Sequence, residues 1–203
     1  MSTVSTRKRL STTERRAVIL EAARSHFSAA AYPEVSVAAI AKDSGSSQAL
    51  VFHYFASKAG LQATVVSESL AQLRQAQLLA DSALSPGTSA RDRIRTLLLT
   101  HLEHLAADPN LIPRTGEPAT THQIRDQARS DLVDWLSELL AVTDFSRHTW
   151  ALWGWAGFLE LVARRWAEAG CPADERFPLI DAALGALEGA LGDWSTTPQW
   201  PQA

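Results

Sequence analysis

Ser36-Val-Ala-Ala-Ile40-Ala41-Lys-Asp-Ser-Gly45-Ser46-Ser47-Gln48-Ala49-Leu50-Val51-Phe52-His53-Tyr54-Phe55-Ala-Ser-Lys58-Ala-Gly-Leu61 is the stretch whose reading decides the fold. Val37, Ile40 and Ala41 fall at i, i+3 and i+4, one face of a short helix. Gly45 stands where a tight turn between packed helices needs positive φ, which glycine adopts without steric cost. Ser46 or Ser47 is placed to cap a second helix, whose Val51 and Phe55 fall on the side that packs back on Ile40 and Ala41. Gln48, Ala49, Phe52 and His53 are then expected to face outward. Followed by Tyr54 and Lys58, this face suits base edges and phosphates in a DNA major groove. The same spacing also fits an ordinary pair of core helices, so the flanking sequence has to decide between them.

Upstream, Ser11-x-x-Glu14 has the spacing of a capping box and predicts a helix from Thr12 to Ala30. Val18, Ile19, Ala22, Ala23, Phe27 and Ala30 keep helical spacing along it, and Pro33 prevents its continuation. Ile19 and Phe27 are expected to cover the inner faces of the next two helices, which makes a three-helix domain. Charge divides along the same line. Residues 1–58 hold eight Lys/Arg and four Asp/Glu, whereas residues 59–203 hold eleven and eighteen, within a net charge of −3. A basic head on an acidic body is what a chain needs if only its N-terminal part meets a polyanion. Residues 1–10, with Arg7-Lys8-Arg9, read as a basic arm for phosphates or a minor groove, or else as a solubilising tail.

A longer pattern runs through this region: Arg16-Ala-Val-Ile-Leu-Glu-Ala22-Ala23-x-x-x-Phe27, Tyr32, Ser36-Val37-x-x-Ile40-Ala41-x-x-Ser-Gly45, and Phe52-x-Tyr54-Phe55-x-Ser57-Lys58-x-x-Leu61. Over about fifty ungapped residues it resembles the N-terminal domain of the tetracycline-repressor (TetR) family of bacterial transcription regulators. It departs from that pattern at Ala31 (usually Gly), Ser46 (usually apolar), Leu50 (usually small or hydroxyl-bearing) and Phe52 (usually Tyr). The resemblance implies DNA contacts from Ser36, Ser46, Ser47, Gln48, Ala49, Phe52, His53, Tyr54 and Lys58. Ser36 and the backbone at the start of its helix would meet a phosphate. Gln48 and His53 would read bases, with Ala49 and Leu50 limited to a thymine methyl. Phe52 lacks the hydroxyl that a Tyr would put on a phosphate, which shifts the backbone grip to Tyr54 and Lys58.

The rest of the chain reads as a helical body. A fourth helix is expected from Lys58 to about Ala80 with Leu61, Val65, Leu70, Leu73 and Leu78 inward. Ser89-x-x-Asp92 restarts a fifth, Arg91 to Ala107, after the turn-rich segment 81–89. A sixth, from about Thr121 to Ala141, follows the proline-rich loop 109–120. From Thr149 to Ala163 only Thr149 and Glu160 are polar, so this helix is apolar on every side and is expected to pack on its own subunit and on a second copy. The last helix carries Phe177, Ile180, Leu184, Leu187 and Leu191 beside a run of Ala and Gly. By resemblance these two helices build a four-helix dimer bundle, with Trp155, Leu159, Val162, Leu184, Leu187, Gly189 and Leu191 as candidate interface residues. His101, His104, Trp135, Trp150, Trp153, Phe158 and Glu160 are the candidate lining of an effector pocket, ordinary packing being the alternative for each tryptophan. His101 and His104 stand one turn apart, but a metal site needs further ligands, so no metal and no cofactor are expected.

The expected architecture is therefore all-α: an N-terminal three-helix helix-turn-helix DNA-binding domain over residues 1–58, then a larger helical ligand-binding and dimerisation domain over residues 59–203. No apolar run approaches the roughly 20 residues of a membrane span, no secretory signal opens the chain, and Cys171 stands alone, so a cytoplasmic protein is expected. The expected function is sequence-specific transcriptional regulation as a homodimeric repressor, released from a palindromic operator by a small apolar or aromatic effector. An activator or ligand-independent regulator of the same fold is the alternative. An all-α enzyme using Glu160 with His101 and His104 lacks any nucleophile elbow, phosphate loop or paired-carboxylate motif, and no enzymatic activity is expected. An architectural DNA coat would need a long basic surface.

Overall fold

The computed structural model describes residues 10–142 and 146–192. The basic arm, apart from Leu10, and the C-terminal Trp194 and Trp200 lie outside the described residues. Eight α-helices make up the described chain: α1 Thr12–Ala29, α2 Val37–Asp43, α3 Gln48–Phe55, α4 Lys58–Ser82, α5 Ala90–Ala107, α6 Ala119–Leu140, α7 Ser146–Glu168 and α8 Arg176–Leu191, with short 3-10 turns at Tyr32–Glu34, Pro109–Leu111 and Ala173–Glu175. No strand occurs among the described residues, and none of their helices is long and apolar enough to cross a membrane. The chain divides into two compact units. One holds the residues up to Ser69 together with Pro113–Ile124; the other holds Leu70–Ile112 and the residues from Arg125 onward.

In the first unit the capping box forms as its spacing requires. Ser11 Oγ accepts from the Glu14 N–H at 3.2 Å and Glu14 Oε2 accepts from the Ser11 N–H at 2.8 Å. Ile19, Leu20, Ala23 and Phe27 of α1 close over Ile40 and Ala41 of α2, Val51 and Phe55 of α3, and Leu61 and Val65 of α4. Val18 is 39% exposed, because the buried face runs through Leu20. The core thus extends past Lys58 into α4, farther than the 1–58 division anticipates. A strap from residues 113–124 joins this unit. Arg114 Nη2 donates to the Ser28 carbonyl, and the Tyr32 N–H donates to the Thr115 carbonyl at 3.3 Å. Gly116, at φ +77, sits where a Cβ would come within 2.8 Å of Pro33 Cγ, so only glycine fits there. Gln62, Glu117 and Thr121 are buried as a polar trio: Gln62 donates to Glu117 at 3.5 Å and Thr121 Oγ1 donates to Gln62 Oε1 at 3.2 Å. Burying these groups is tolerable because each finds a partner.

In the second unit the face of α4 runs through Leu73 and Gln77, so Leu78, expected inward, is 43% exposed while Gln77 donates to the Leu97 carbonyl at 3.5 Å. Ile94, Leu97, Leu98, Leu102 and Leu105 of α5 share one core with Leu136 of α6, Leu152, Trp155 and Leu159 of α7, and Ile180, Leu184 and Leu187 of α8. Arg91 with Glu188 (2.5 Å), Arg95 with Asp181 (3.1 Å) and Arg176 with Glu103 (3.6 Å) bridge α5 and α8. These pairs are solvent-exposed and contribute at most about 1 kcal/mol each, so apolar burial holds the unit together. Buried Arg125 donates to the carbonyls of Leu111 (2.8 Å), Asn110 (3.0 Å) and Ile112 (3.3 Å), satisfying the acceptors that the 3-10 turn leaves open.

Candidate nucleic-acid interface

The turn between α2 and α3 is built from its own side chains. Ser44 is buried and its Oγ donates to the Ala41 carbonyl at 3.1 Å. Gly45 takes φ +59, and the Ser46 N–H returns to the Ala41 carbonyl at 2.8 Å. An alanine at Gly45 would enter the left-handed region at a cost of about 1–2 kcal/mol. Gly45→Ala is expected to lower the urea midpoint with an unchanged slope. Ser47, rather than Ser46, caps α3, accepting from the Leu50 N–H at 3.2 Å, while the Ser46 hydroxyl donates to the Ser44 carbonyl at 3.4 Å. Ser36 caps α2 in the same way, accepting from the Ala39 N–H at 3.4 Å.

With Val51 and Phe55 buried, Gln48, Ala49, Phe52 and His53 are exposed together on the opposite side of α3. Phe52 is 41% exposed, which is unusual for an aromatic side chain with no partner surface. At about 1.5 Å per residue, the eight residues of α3 span about 12 Å, a length that fits a major groove. Leu50 is half-buried against the core of the first unit, and that burial weakens the expectation that it touches a thymine methyl. The Tyr54 ring is half-buried, edge-on to His53 at 5.5 Å. Lys58 is turned inward: it donates to the Pro33 carbonyl at 3.2 Å and lies 4.4 Å from the Tyr32 ring centroid. Lys42, exposed on the last turn of α2, is a cation that the sequence reading did not single out, although its position beside the Gly45 turn was visible.

The candidate residues of the second unit separate into groups. Trp150 and Trp153, expected to line a pocket, are 75% and 38% exposed on α7. Half-buried Trp135 carries Arg74 and Arg93 at 5.8 and 6.0 Å from its ring, and Arg93 also holds Asp81 through two bonds at 2.7 and 2.5 Å. That pairing keeps the Asp81 carboxyl below the usual carboxylate range. Glu160 is held by Arg129 at 2.6 Å, the counter-charge being on α6 rather than Arg164 or Arg165 of its own helix. Phe158 is half-buried against the core. Burial of the His101 ring, with His104 a second cause, pushes its pKa down to about 4, so the imidazole is neutral at pH 7; His104 Nδ1 lies 3.0 Å from the Thr100 carbonyl. No group of three or more metal-ligating side chains occurs among the described residues.

Of the residues expected at an interface between copies, Trp155, Leu159, Leu184 and Leu187 are buried in the chain's own core, and Trp155 Nε1 donates to the Ala183 carbonyl at 2.7 Å. Their side chains are packed within the chain's own core. Val162 and Leu191 are half-buried and Gly189 is exposed. The outer face instead combines Trp150, Trp153, Leu161 (51% exposed) and Phe177 (53%) with Gly154, Gly157, Gly185 and Gly189, four glycines with no neighbour within 4 Å of an added Cβ.

Residues 19–65 match the family model for bacterial regulatory proteins of the tetR family. No curated protein gives a significant sequence match. Solved structures with a similar fold include a TetR-like transcriptional regulator from Rhodococcus sp. RHA1, 24% identical with a TM-score of 0.71, covering 91% of this chain and 100% of that one. A tetR-family regulator from Streptomyces coelicolor is 20% identical, with a TM-score of 0.70 and coverage of 89% and 80%. The regulator FadR from Bacillus subtilis, solved in complex with stearoyl-CoA, is 17% identical, with a TM-score of 0.65 and coverage of 87% and 98%. At these identities the solved structures speak for the fold, and the matched segment speaks for the DNA-binding domain. The chain thus carries the helix-turn-helix DNA-binding domain of the tetR family of bacterial regulatory proteins, on the all-α fold of TetR-like transcriptional regulators.

Proposed function

We propose that the protein is a homodimeric repressor that places two copies of α3 in successive major grooves of a palindromic operator, about 34–36 Å apart. The observation that carries this reading is the exposed Gln48, Ala49, Phe52 and His53 face on a helix whose other side is sealed into the core. Gln48 and His53 read base edges, Phe52 and Ala49 supply apolar contact, and Ser36, Ser46, Ser47 and Tyr54 hold the backbone. Repression is by occlusion of the promoter. The second copy covers the α7 and α8 face of Trp150, Trp153, Leu161 and Phe177, a composition that suits an interface core better than water. A small apolar or aromatic effector binds in the second unit near His101, His104, Trp135 and Phe158, and the neutral His101 favours an uncharged ligand group. FadR, solved with stearoyl-CoA, is a precedent on this fold for a ligand that carries a long apolar acyl chain. An effector shifts the DNA-binding equilibrium only by its differential affinity for the two states.

Selection of duplexes from a randomised pool, followed by gel shifts in a salt series, tests the reading. A salt-sensitive, sequence-preferring complex with a palindromic consensus is expected; binding that coats DNA without preference would sink it. Gln48→Ala is expected to cost about 1–3 kcal/mol of discrimination at one operator position while affinity for other sequences changes little.

A further inference from the structure

We infer that Lys58 is a positioning residue that clamps the corner between α1 and α2, and is not one of the phosphate contacts; this rests on the DNA-binding reading of α3 above. Its ammonium crosses 25 residues of sequence to donate to the Pro33 carbonyl at 3.2 Å, and it stands 4.4 Å from the centroid of the Tyr32 ring. Both distances are those of engaged contacts, the second within the roughly 6 Å reach of a cation–π interaction. Tyr32 in turn stacks on core Phe27, with centroids 6.2 Å apart and planes 8° from parallel. The Val35 N–H bonds back to the Tyr32 carbonyl at 3.3 Å, Val35 is buried, and Ser36 caps α2. Lys58 therefore grips the corner from which α2, and after it α3, is launched.

The charge balance supports the same role. Lys58 is the first residue of α4, where the helix dipole repels a cation, and among the described residues no carboxylate forms an ion pair with it. The Pro33 carbonyl and the electron-rich Tyr32 face take the place of that missing partner, and burial lowers the ammonium's pKa. A phosphate would have to compete with both groups for the ammonium. Pro33 and Glu34 are themselves exposed, so Lys58 adds to the hold that the Tyr32 N–H on the Thr115 carbonyl gives this corner.

Salt dependence separates a clamp from a phosphate ligand. The test uses the full chain and a duplex recovered from a randomised pool by the wild-type protein, titrated between about 50 and 200 mM salt. Lys58→Ala is expected to weaken binding about tenfold at every salt concentration, with the slope of log K against log salt unchanged, because no counterion release is lost. Lys58→Arg is expected to stay within about twofold of wild type, since a guanidinium also stacks on an aromatic ring and donates to a carbonyl. Tyr32→Leu should match Lys58→Ala, and the double variant should be no more than about twofold weaker than either, because both remove the same clamp. A slope shallower by about 0.9 per lysine, or fully additive losses, would overturn the inference. If circular dichroism shows that Lys58→Ala does not fold, Tyr32→Leu decides: weakened binding at unchanged slope supports the clamp, and wild-type affinity overturns it. A wild-type chain that forms no sequence-preferring complex defeats the DNA-binding reading itself, a result distinct from either slope outcome.

Discussion

Gly157→Arg is expected to turn the protein into a monomer while leaving each copy as stable as before, or more so. In the single chain an added Cβ at Gly157 meets nothing within 4 Å, so the fold has room for the side chain. Replacing an exposed helical glycine by arginine should stabilise α7 by up to about 1 kcal/mol. Against a second copy the sign reverses: a glycine on a face with Trp150, Trp153 and Leu161 allows close helix approach, and an arginine there inserts a long charged chain into apolar contact. Because two linked heads bind far more tightly than one, operator affinity should fall by about 10²–10⁴-fold while affinity for a half-site duplex stays the same. Sedimentation together with gel shifts on full and half-sites checks this. A variant that still sediments at twice the 22.1 kDa of one chain and binds the full operator normally would refute the proposed interface.

Arg125→Ala is expected to be strongly destabilising although it removes a buried polar side chain and not part of the apolar core. The guanidinium serves three carbonyls in a row, those of Asn110, Leu111 and Ile112, and no other residue type presents donors in that planar spread. Losing it strands buried acceptors, which typically cost about 1–3 kcal/mol each when water does not reach them. A total of about 3–5 kcal/mol follows, or roughly 10 °C in melting temperature for a chain of this size. Arg125→Lys should recover only part, since a point ammonium reaches one or two of the three carbonyls. A loss under about 1 kcal/mol for the alanine variant would show that these bonds merely replace water.

The local features of this chain were legible before its structure. Ser11 and Glu14 close their capping box, the Gly45 turn takes positive φ, and Val51 and Phe55 separate from Gln48 and His53 as the helical period requires. These depend on residues within a turn or two of each other. What escaped depends on partners far along the chain. The counter-charge of Glu160 is Arg129, 31 residues away, chosen by the packing of α6 on α7 rather than by anything near Glu160. An apolar helix such as α7 shows no polar stripe, so periodicity did not separate Trp155, which faces inward, from Trp150 and Trp153, which face out. The resemblance puts Lys58 on the DNA backbone, and only the packing discloses that Tyr32 and Pro33 hold it. By sequence the strap of residues 113–124 is part of a connecting loop and the start of a helix, because its anchor points at Ser28, Tyr32 and Gln62 carry no sequence signal.

That strap also determines how the chain can be cut. A regulator whose reading head were a continuous N-terminal piece would be a natural part for exchange: sever it after α4 begins, fuse it to another sensor, and the operator preference should travel with it. Here the piece ending at Ser69 leaves Gln62 without Glu117 and Thr121, and the Ser28 carbonyl without Arg114. A hybrid joined at that point inherits a head with an open polar wound, unless the recipient brings its own counterpart of residues 113–124. The transferable part of this protein is thus two segments separated by more than forty residues, and grafting its specificity elsewhere means moving both.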